Sequence, residues 1–392
     1  MTLTALAKHL FSEYPKHRVT SVRPSSCKHR QVTSQLQILV GKSNGLLTME
    51  EAGRSLEGRS IPLVRFGNGP KRVLLWSQMH GDESTATLAL MDIFKFLSGK
   101  GAGREIVRVL IEKTSLFVIP MLNPDGAERR QRQTATGIDM NRDARLLSTP
   151  EAKVLRRVHK VVKPDFAFNL HDQELSTVGN APSVTAIALL APAADGQRRM
   201  SIGRTRAMRV AGLMAKSLKP FASGHIARYD DSYESRAFGD NMQSWGTSTV
   251  LVESGHWPND PEKRFIRRLN FTGLLTALSG IASGEYRKSG LREYSALQQN
   301  GKRAYHLVIR VVRLRCGRKW EHRVDIGINI ERSVGRNGTV ARIKEIGDLK
   351  GFAALEERDG RRSILQSGRL SVEQLLSLRR LSTLLRIELQ ER

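Results

Sequence analysis

The chain has 392 residues, 40% of them hydrophobic, with 64 Lys and Arg against 38 Asp and Glu for a formal net charge of +26. That length supports two or three domains and a sizeable core, and no segment approaches the roughly 20 uninterrupted apolar residues that span a bilayer. The positive residues are scattered through stretches such as "KRFIRR" and "RRLSTLLR", with no long basic tail and no interleaved aromatics. Solvated faces are therefore expected, and no specific nucleic-acid partner.

The N-terminal "MTLTALAKHLFSEYPKHRVT" carries one short apolar patch broken by Lys8 and His9, with neither an apolar leader core nor a small-residue cleavage site, so a cytoplasmic location is expected. The two cysteines, Cys27 and Cys316, lie far apart in sequence and do not make a disulfide framework. Residues 1–60 read as a mixed N-terminal extension with short strands joined by Gly-containing turns. From there apolar runs alternate with amphipathic segments. "RVLLWSQ" reads as a buried strand, and "TATLALMDIFKFLSG" as a helix closing at Gly99. "SLFVIPML" is a second strand, "TPEAKVLRRVHKVVK" a helix with a Thr-Pro start, and "DFAFNLH" a third strand. "VTAIALLAPA" and "TSTVLVESG" follow as strands on either side of a helical stretch near 198–218, and "DPEKRFIRRLNFTGLLTALSGIASG" closes the region as a long helix. This alternation predicts an α/β domain with a mixed, largely parallel sheet flanked by helices, over residues 61–288. Beyond it, "RAYHLVIRVVRLRC", "EHRVDIGINIER" and "GTVARIKEIGDL" alternate apolar and polar residues as half-exposed antiparallel strands do. Residues 289–392 are accordingly expected to form a small accessory β-rich domain. It would end in an amphipathic helix over "SVEQLLSLRRLSTLLRIELQ", with Ser371 as N-cap.

The polar residues that follow the apolar runs are metal-competent. "SQMHGDEST" places His80 and Glu83 directly after the first strand, and His171 closes "FAFNLH". An "HxxE" spacing alone describes many ordinary polar turns, and a histidine at a strand end is often a hydrogen-bonded rim residue. Taken together, two His and one Glu with a fourth position left to water form the ligand set of a catalytic zinc rather than a structural one. Glu253 ends the apolar strand "TVLVES", where a carboxylate is costly to bury without a partner or a task. Between these, "NPDGAERRQRQTATGIDMNRDA" opens with a type I or II turn signal and concentrates Arg129, Arg130, Arg132, Asn141 and Arg142. Such a stretch is either a solvated loop or a clamp for anionic oxygens, since a guanidinium fork matches a carboxylate.

The ordered set "HGDE", "NPDG…R…DMNR", "NLHD" and "VESG" resembles the zinc carboxypeptidase (metallocarboxypeptidase) family, and in "SQMHGDEST" and "NLHDQ" its bacterial branch. The resemblance covers about residues 60–285 and implies an eight-stranded mixed sheet with one zinc ion. It implies His80, Glu83 and His171 as zinc ligands and Glu253 as the general base. Arg132, preferred by its spacing to "GIDMNR" over Arg129 and Arg130, would polarise the scissile carbonyl. Asn141 and Arg142 would grip the substrate's C-terminal carboxylate. A mobile tyrosine is implied within "ARYDDSYESRAFGD", where Tyr229 is preferred over Tyr233. In the same stretch Arg236 and Asp240 are open to two readings, ion-pair partners or specificity determinants, and a basic Arg236 facing the pocket would favour acidic side chains. The expected activity is hydrolysis of the C-terminal amide bond of a peptide. The alternative is a zinc-dependent N-acyl-amino-acid deacylase of related fold. Either substrate, peptide or acyl-amino acid, would carry a free carboxylate. The oligomeric state and the role of the C-terminal domain are not legible.

Overall fold

Four consecutive apolar residues, Val73 to Trp76, are each no more than 1% exposed, as a strand covered on both faces requires. The computed structural model describes residues 2–99, 103–288, 290–316, 320–332, 339–362, 364–366 and 369–370. Its main sheet has eight strands: β1 (Leu47–Arg54), β2 (Ser60–Phe66), β3 (Lys71–Ser77), β4 (Thr114–Ile119), β5 (Phe166–Asp172), β6 (Ile187–Leu190), β7 (Ile226–Arg228) and β8 (Ser248–Ser254). Their spatial order is β1-β2-β4-β3-β5-β8-β6-β7. The central run β4-β3-β5-β8 is parallel throughout, as is the β6–β7 pair, while β1–β2, β2–β4 and β6–β8 are antiparallel. After β3 the chain moves to one side to form β4 and then returns to the other side to form β5. A switch point of this kind opens a crevice at the carboxyl ends of the two strands, where ligands of open α/β sheets bind.

Helices cover the sheet. One face packs Leu74, Trp76, Ile119 and Ala167 against Leu155 and Val158 of α6 (Pro150–Val162) and against Phe238 and Met242 of α8 (Phe238–Ser244). Burying each of these large apolar side chains contributes about 1.5–3 kcal/mol. The long helix α9 (Arg264–Ser283) packs against α3 (Thr85–Ser98), α4 (Arg104–Lys113) and α7 (Ile202–Leu218).

The N-terminal stretch departs from expectation. It contributes two helices, α1 (Leu3–His17) and α2 (His29–Gly41), before the first strand. Thr2 caps α1 by accepting the Ala5 N–H at 3.2 Å, and Leu6, Ala7, Leu10 and Tyr14 form a buried stripe at helical spacing. Lys8 and His9 fall off that stripe, so charged residues that interrupt a leader-like run are harmless in an amphipathic helix. "NPDG" also differs from the expected simple turn, because Asn123 caps a short helix, α5 (Pro124–Arg129), accepting the Gly126 N–H at 2.9 Å.

By contacts the chain divides into two units, one of residues 1–174, 186–255 and 262–300, the other of 175–185, 256–261 and the described residues from 301 onward. The second is β-rich. β9 (Ala304–Cys316), β10 (Trp320–Arg332) and β11 (Thr339–Gly347) form an antiparallel meander, whereas β12 (Ala353–Asp359) runs parallel to β9. Leu307, Ile309, Val312, Ile326, Ile328 and Ala341 form its core. The expected C-terminal helix over "SVEQLLSLRRLSTLLRIELQ" lies outside the described residues.

Candidate active site

Strand β3 ends at Ser77, and His80 stands three residues beyond it, in the turn rather than on the strand. The chain bends at Gln78, which holds a left-handed φ of 51° although it is not glycine, a conformation that persists only where surroundings impose it. They do so here: the Gln78 side chain donates to the Gly81 carbonyl at 2.9 Å and accepts from Thr87 at 2.9 Å. Gly81 is obligatory for a separate reason. A Cβ there would lie 2.0 Å from the Gly126 carbonyl carbon and 2.2 Å from the Ala127 nitrogen, so the turn and α5 touch backbone to backbone. Asn123 ties the same two segments together, its amide donating to the Met79 carbonyl at 3.1 Å and the Gln133 carbonyl at 3.2 Å.

This frame delivers His80 and Glu83 to the end of β5. The Nδ1 of His80 lies 2.7 Å from Glu83 Oε1, and the Nδ1 of His171 lies 2.8 Å from Glu83 Oε2. The two imidazole centroids are 4.8 Å apart. His171 and Glu253 face each other in register on the parallel neighbours β5 and β8. All four groups are buried, between 1% and 7% exposed.

Asp139 and Arg132 complete the ring. His80 presents Nε2 to Asp139 Oδ1 at 3.0 Å, while Arg132 donates from Nε to Asp139 Oδ2 at 3.1 Å and from Nη1 to Glu83 Oε1 at 3.2 Å. Arg129 points elsewhere, to the Asp125 carbonyl and Glu57. Sequence reasoning missed Asp139, although the acid stands in the quoted "DMNR", two residues before Asn141. Its role is legible only when His80 lies beside it. The Asn141 side-chain oxygen accepts the Phe238 N–H at 3.0 Å, and Arg142 Nε lies 3.5 Å from Glu234 Oε2. Arg236 grips the same Glu234 carboxylate bidentately at 2.8 and 2.6 Å. Its charge is therefore spent on an internal partner.

The electrostatics follow from burial and neighbours. Burial disfavours charge on Glu83, but two imidazoles facing its oxygens hold it well below the usual carboxylate range. One carboxylate cannot raise both rings. Burial works against protonation of His80 too, yet Glu83 and Asp139 together outweigh it and raise that ring to about 9. Burial lowers His171, which has no second acid. Burial, and then the charge of Glu83, pushes Glu253 well above the ordinary carboxylate range, and its Oε2 has no hydrogen-bond partner among the described residues. The phenol of Tyr229, just past β7, is raised to about 12, first by the Glu253 carboxylate and then by burial. Burial also raises Asp240 to about 7.

The donor set fits a divalent metal. Ligand atoms of His80, Glu83 and His171 lie within 4.8 Å of one another, the one such grouping found among the described residues. Two imidazole nitrogens and one carboxylate oxygen are a donor set that zinc would accept. With an ion bound, a neutral His80 would give its Nε2–H to Asp139 and turn the Nδ1 lone pair toward the metal.

Residues 32–173 match the family model described as zinc carboxypeptidase. These residues are therefore similar to a zinc carboxypeptidase domain. Carboxypeptidase E of Caenorhabditis elegans is 31% identical over 140 residues, 29% of this chain and 29% of that protein. Carboxypeptidase 2 of Trichophyton rubrum is 26% identical over 144 residues, 34% of this chain and 26% of that protein. The chain thus spans under a third of the length of these curated relatives. A crystal structure of a metallo-carboxypeptidase from Burkholderia cenocepacia shares the fold, with a TM-score of 0.53 and 18% identity over 65% of this chain and 69% of that one. The His80–Glu83–His171 cluster lies within the matched residues and is able to hold a metal ion. The family match includes these three residues and the arginine-rich stretch, and stops short of Tyr229 and Glu253. No helix among the described residues is long and apolar enough to cross a membrane.

Proposed function

We propose that the protein is a zinc-dependent metallocarboxypeptidase, hydrolysing the amide bond that precedes a residue with a free carboxylate. The observation that carries this reading is the pairing of His171 with Glu253 in register on adjacent strands. It sets a carboxylate that has no task in the fold beside a complete metal ligand set. His80, Glu83 and His171 would hold the zinc ion, which would supply Lewis-acid polarisation of the scissile carbonyl and of the attacking water.

The rest is done by side chains. Glu253, paired in register with His171, accepts a proton from the attacking water and delivers it to the leaving amine. Arg132, anchored on Asp139 and Glu83, donates to the carbonyl oxygen as negative charge develops there. Asn141 and Arg142 hold the terminal carboxylate, for which Arg142 exchanges its contact with Glu234. Tyr229, a phenol protonated at neutral pH, has a hydroxyl proton to donate near the reacting atoms. A substrate blocked at its C-terminus leaves Arg142 unpaired and should be poor.

Glu253→Gln tests the assignment. Its expected phenotype is one zinc per chain by elemental analysis with kcat lowered at least about 100-fold on N-acylated dipeptides. Retained turnover would reject Glu253 as the base. Assaying the same protein on N-acetyl amino acids separates this function from that of a deacylase.

A further inference from the structure

Asn169 lies on β5 two residues before His171 and so projects from the same face of the strand, about 6.6 Å deeper. It is 0% exposed, and neither its amide oxygen nor its amide nitrogen has a hydrogen-bond partner in the structure. An amide left unpaired in a core costs stability, and a strand position between Trp76 of β3 and Leu251 of β8 could hold an apolar residue without that cost. Its surroundings connect it to the carboxylate grip. Phe238 donates its N–H to Asn141, and the next residue, Gly239, has no side chain where a Cβ would lie 3.5 Å from Asn169 Nδ2 and 3.4 Å from Pro192 Cγ. Carboxylate grip, bare glycine and unpaired amide therefore succeed one another along one path, with His171 at its side.

We propose that Asn169 reads the side chain of the terminal residue and selects an uncharged hydrogen-bonding group, a carboxamide above all. The inference rests on the carboxypeptidase reading for the placement of the substrate. A carboxamide offers one acceptor and two donors and so complements the Asn169 amide, which offers the same set. An apolar side chain of equal size leaves that amide unpaired. A charged one would be desolvated at a position whose amide carries no opposing charge. Arg236, engaged with Glu234, supplies no such charge for an acidic side chain.

The test is calorimetric binding of free glutamine and free methionine, the two products of matched length, to the zinc-loaded Glu253→Gln protein, which does not depend on turnover. Glutamine is expected to bind about 5- to 100-fold more tightly, and Asn169→Leu to abolish that preference while leaving methionine within a few-fold. Gly239→Ala adds only a methyl at ordinary contact distances and guards against a folding defect in Asn169→Leu. It is expected to weaken glutamine at least 10-fold relative to alanine. Equal affinities for glutamine and methionine, or a preference that survives Asn169→Leu, would overturn the inference. Failure of the active protein to cleave any acylated dipeptide while glutamine selectivity persists would count against the carboxypeptidase reading and leave the role of Asn169 standing.

Discussion

Asp139 holds His80 on the side opposite Glu83, so the ring sits between two carboxylates and has little freedom to turn. Removing the outer acid frees the ring and its tautomer. Asp139→Ala is accordingly expected to weaken zinc binding about 10- to 100-fold, read by competition with a chromogenic chelator. Wild-type affinity in that variant would mean that Glu83 and the backbone alone orient the ring. Arg132 depends on the same acid, so the variant should also lower kcat beyond what metal loss explains when zinc is saturating. At this level the sequence was informative about residue type and less so about choice. Three arginines within four positions are equivalent on paper, and only the docking of α5 turns Arg129 toward Glu57 and Arg132 toward Glu83.

The helices α1, α3 and α9 meet around one buried ion pair. Arg267 of α9 donates to both oxygens of Asp92 on α3, at 2.6 and 2.5 Å, and to the Val19 carbonyl at 2.8 Å. Tyr14 of α1 donates to Asp92 at 3.1 Å, and the Val19 N–H donates at 2.7 Å. Every acceptor site of the carboxylate is used, and this fastens α1 and the segment after it to α3 and α9. Asp92→Ala leaves the Arg267 guanidinium buried and uncompensated, so about 3–5 kcal/mol of stability should be lost, measured by urea denaturation at neutral pH. A loss under about 1 kcal/mol would mean that water reaches the guanidinium. Nothing in the local pattern of "TALAKHLFSEYPKH" signals this contact, because its partners are more than 70 residues away.

Across the molecule, acid should act through histidine as well as through carboxylates. Burial, reinforced by the neighbouring Arg156, lowers His159 to about 4 from an ordinary value of 6.5. Its Nε2 faces the Thr247 hydroxyl at 2.9 Å and its Nδ1 faces Arg156 at 3.0 Å, a pairing that suits a neutral ring. Between pH 6.5 and 4 the unfolded chain binds a proton here that the folded chain refuses, so stability falls as pH falls through that window. His159→Gln should shrink the difference between urea midpoints at pH 7.5 and pH 4.5, and an unchanged difference would assign the acid sensitivity to other groups. The elements of the α/β unit were legible because apolar period and punctuation are local properties. The stretches 72–78, 85–99, 149–163 and 165–171 each carry their strand or helix in their own spacing. The cluster of His80, Glu83 and His171 was legible because a divalent metal needs particular atoms, and few residue types offer them. Strand order is different in kind: it is a property of pairings between distant segments. It is that order, with β5 returning beside β3 and β8 beside β5, which brings His171 against Glu83 and Glu253 against His171. The same pairings expose what spacing cannot encode, the second carboxylate on His80 and the unpaired amide of Asn169. Each is defined by a neighbour, or the lack of one, that exists only after the sheet has closed.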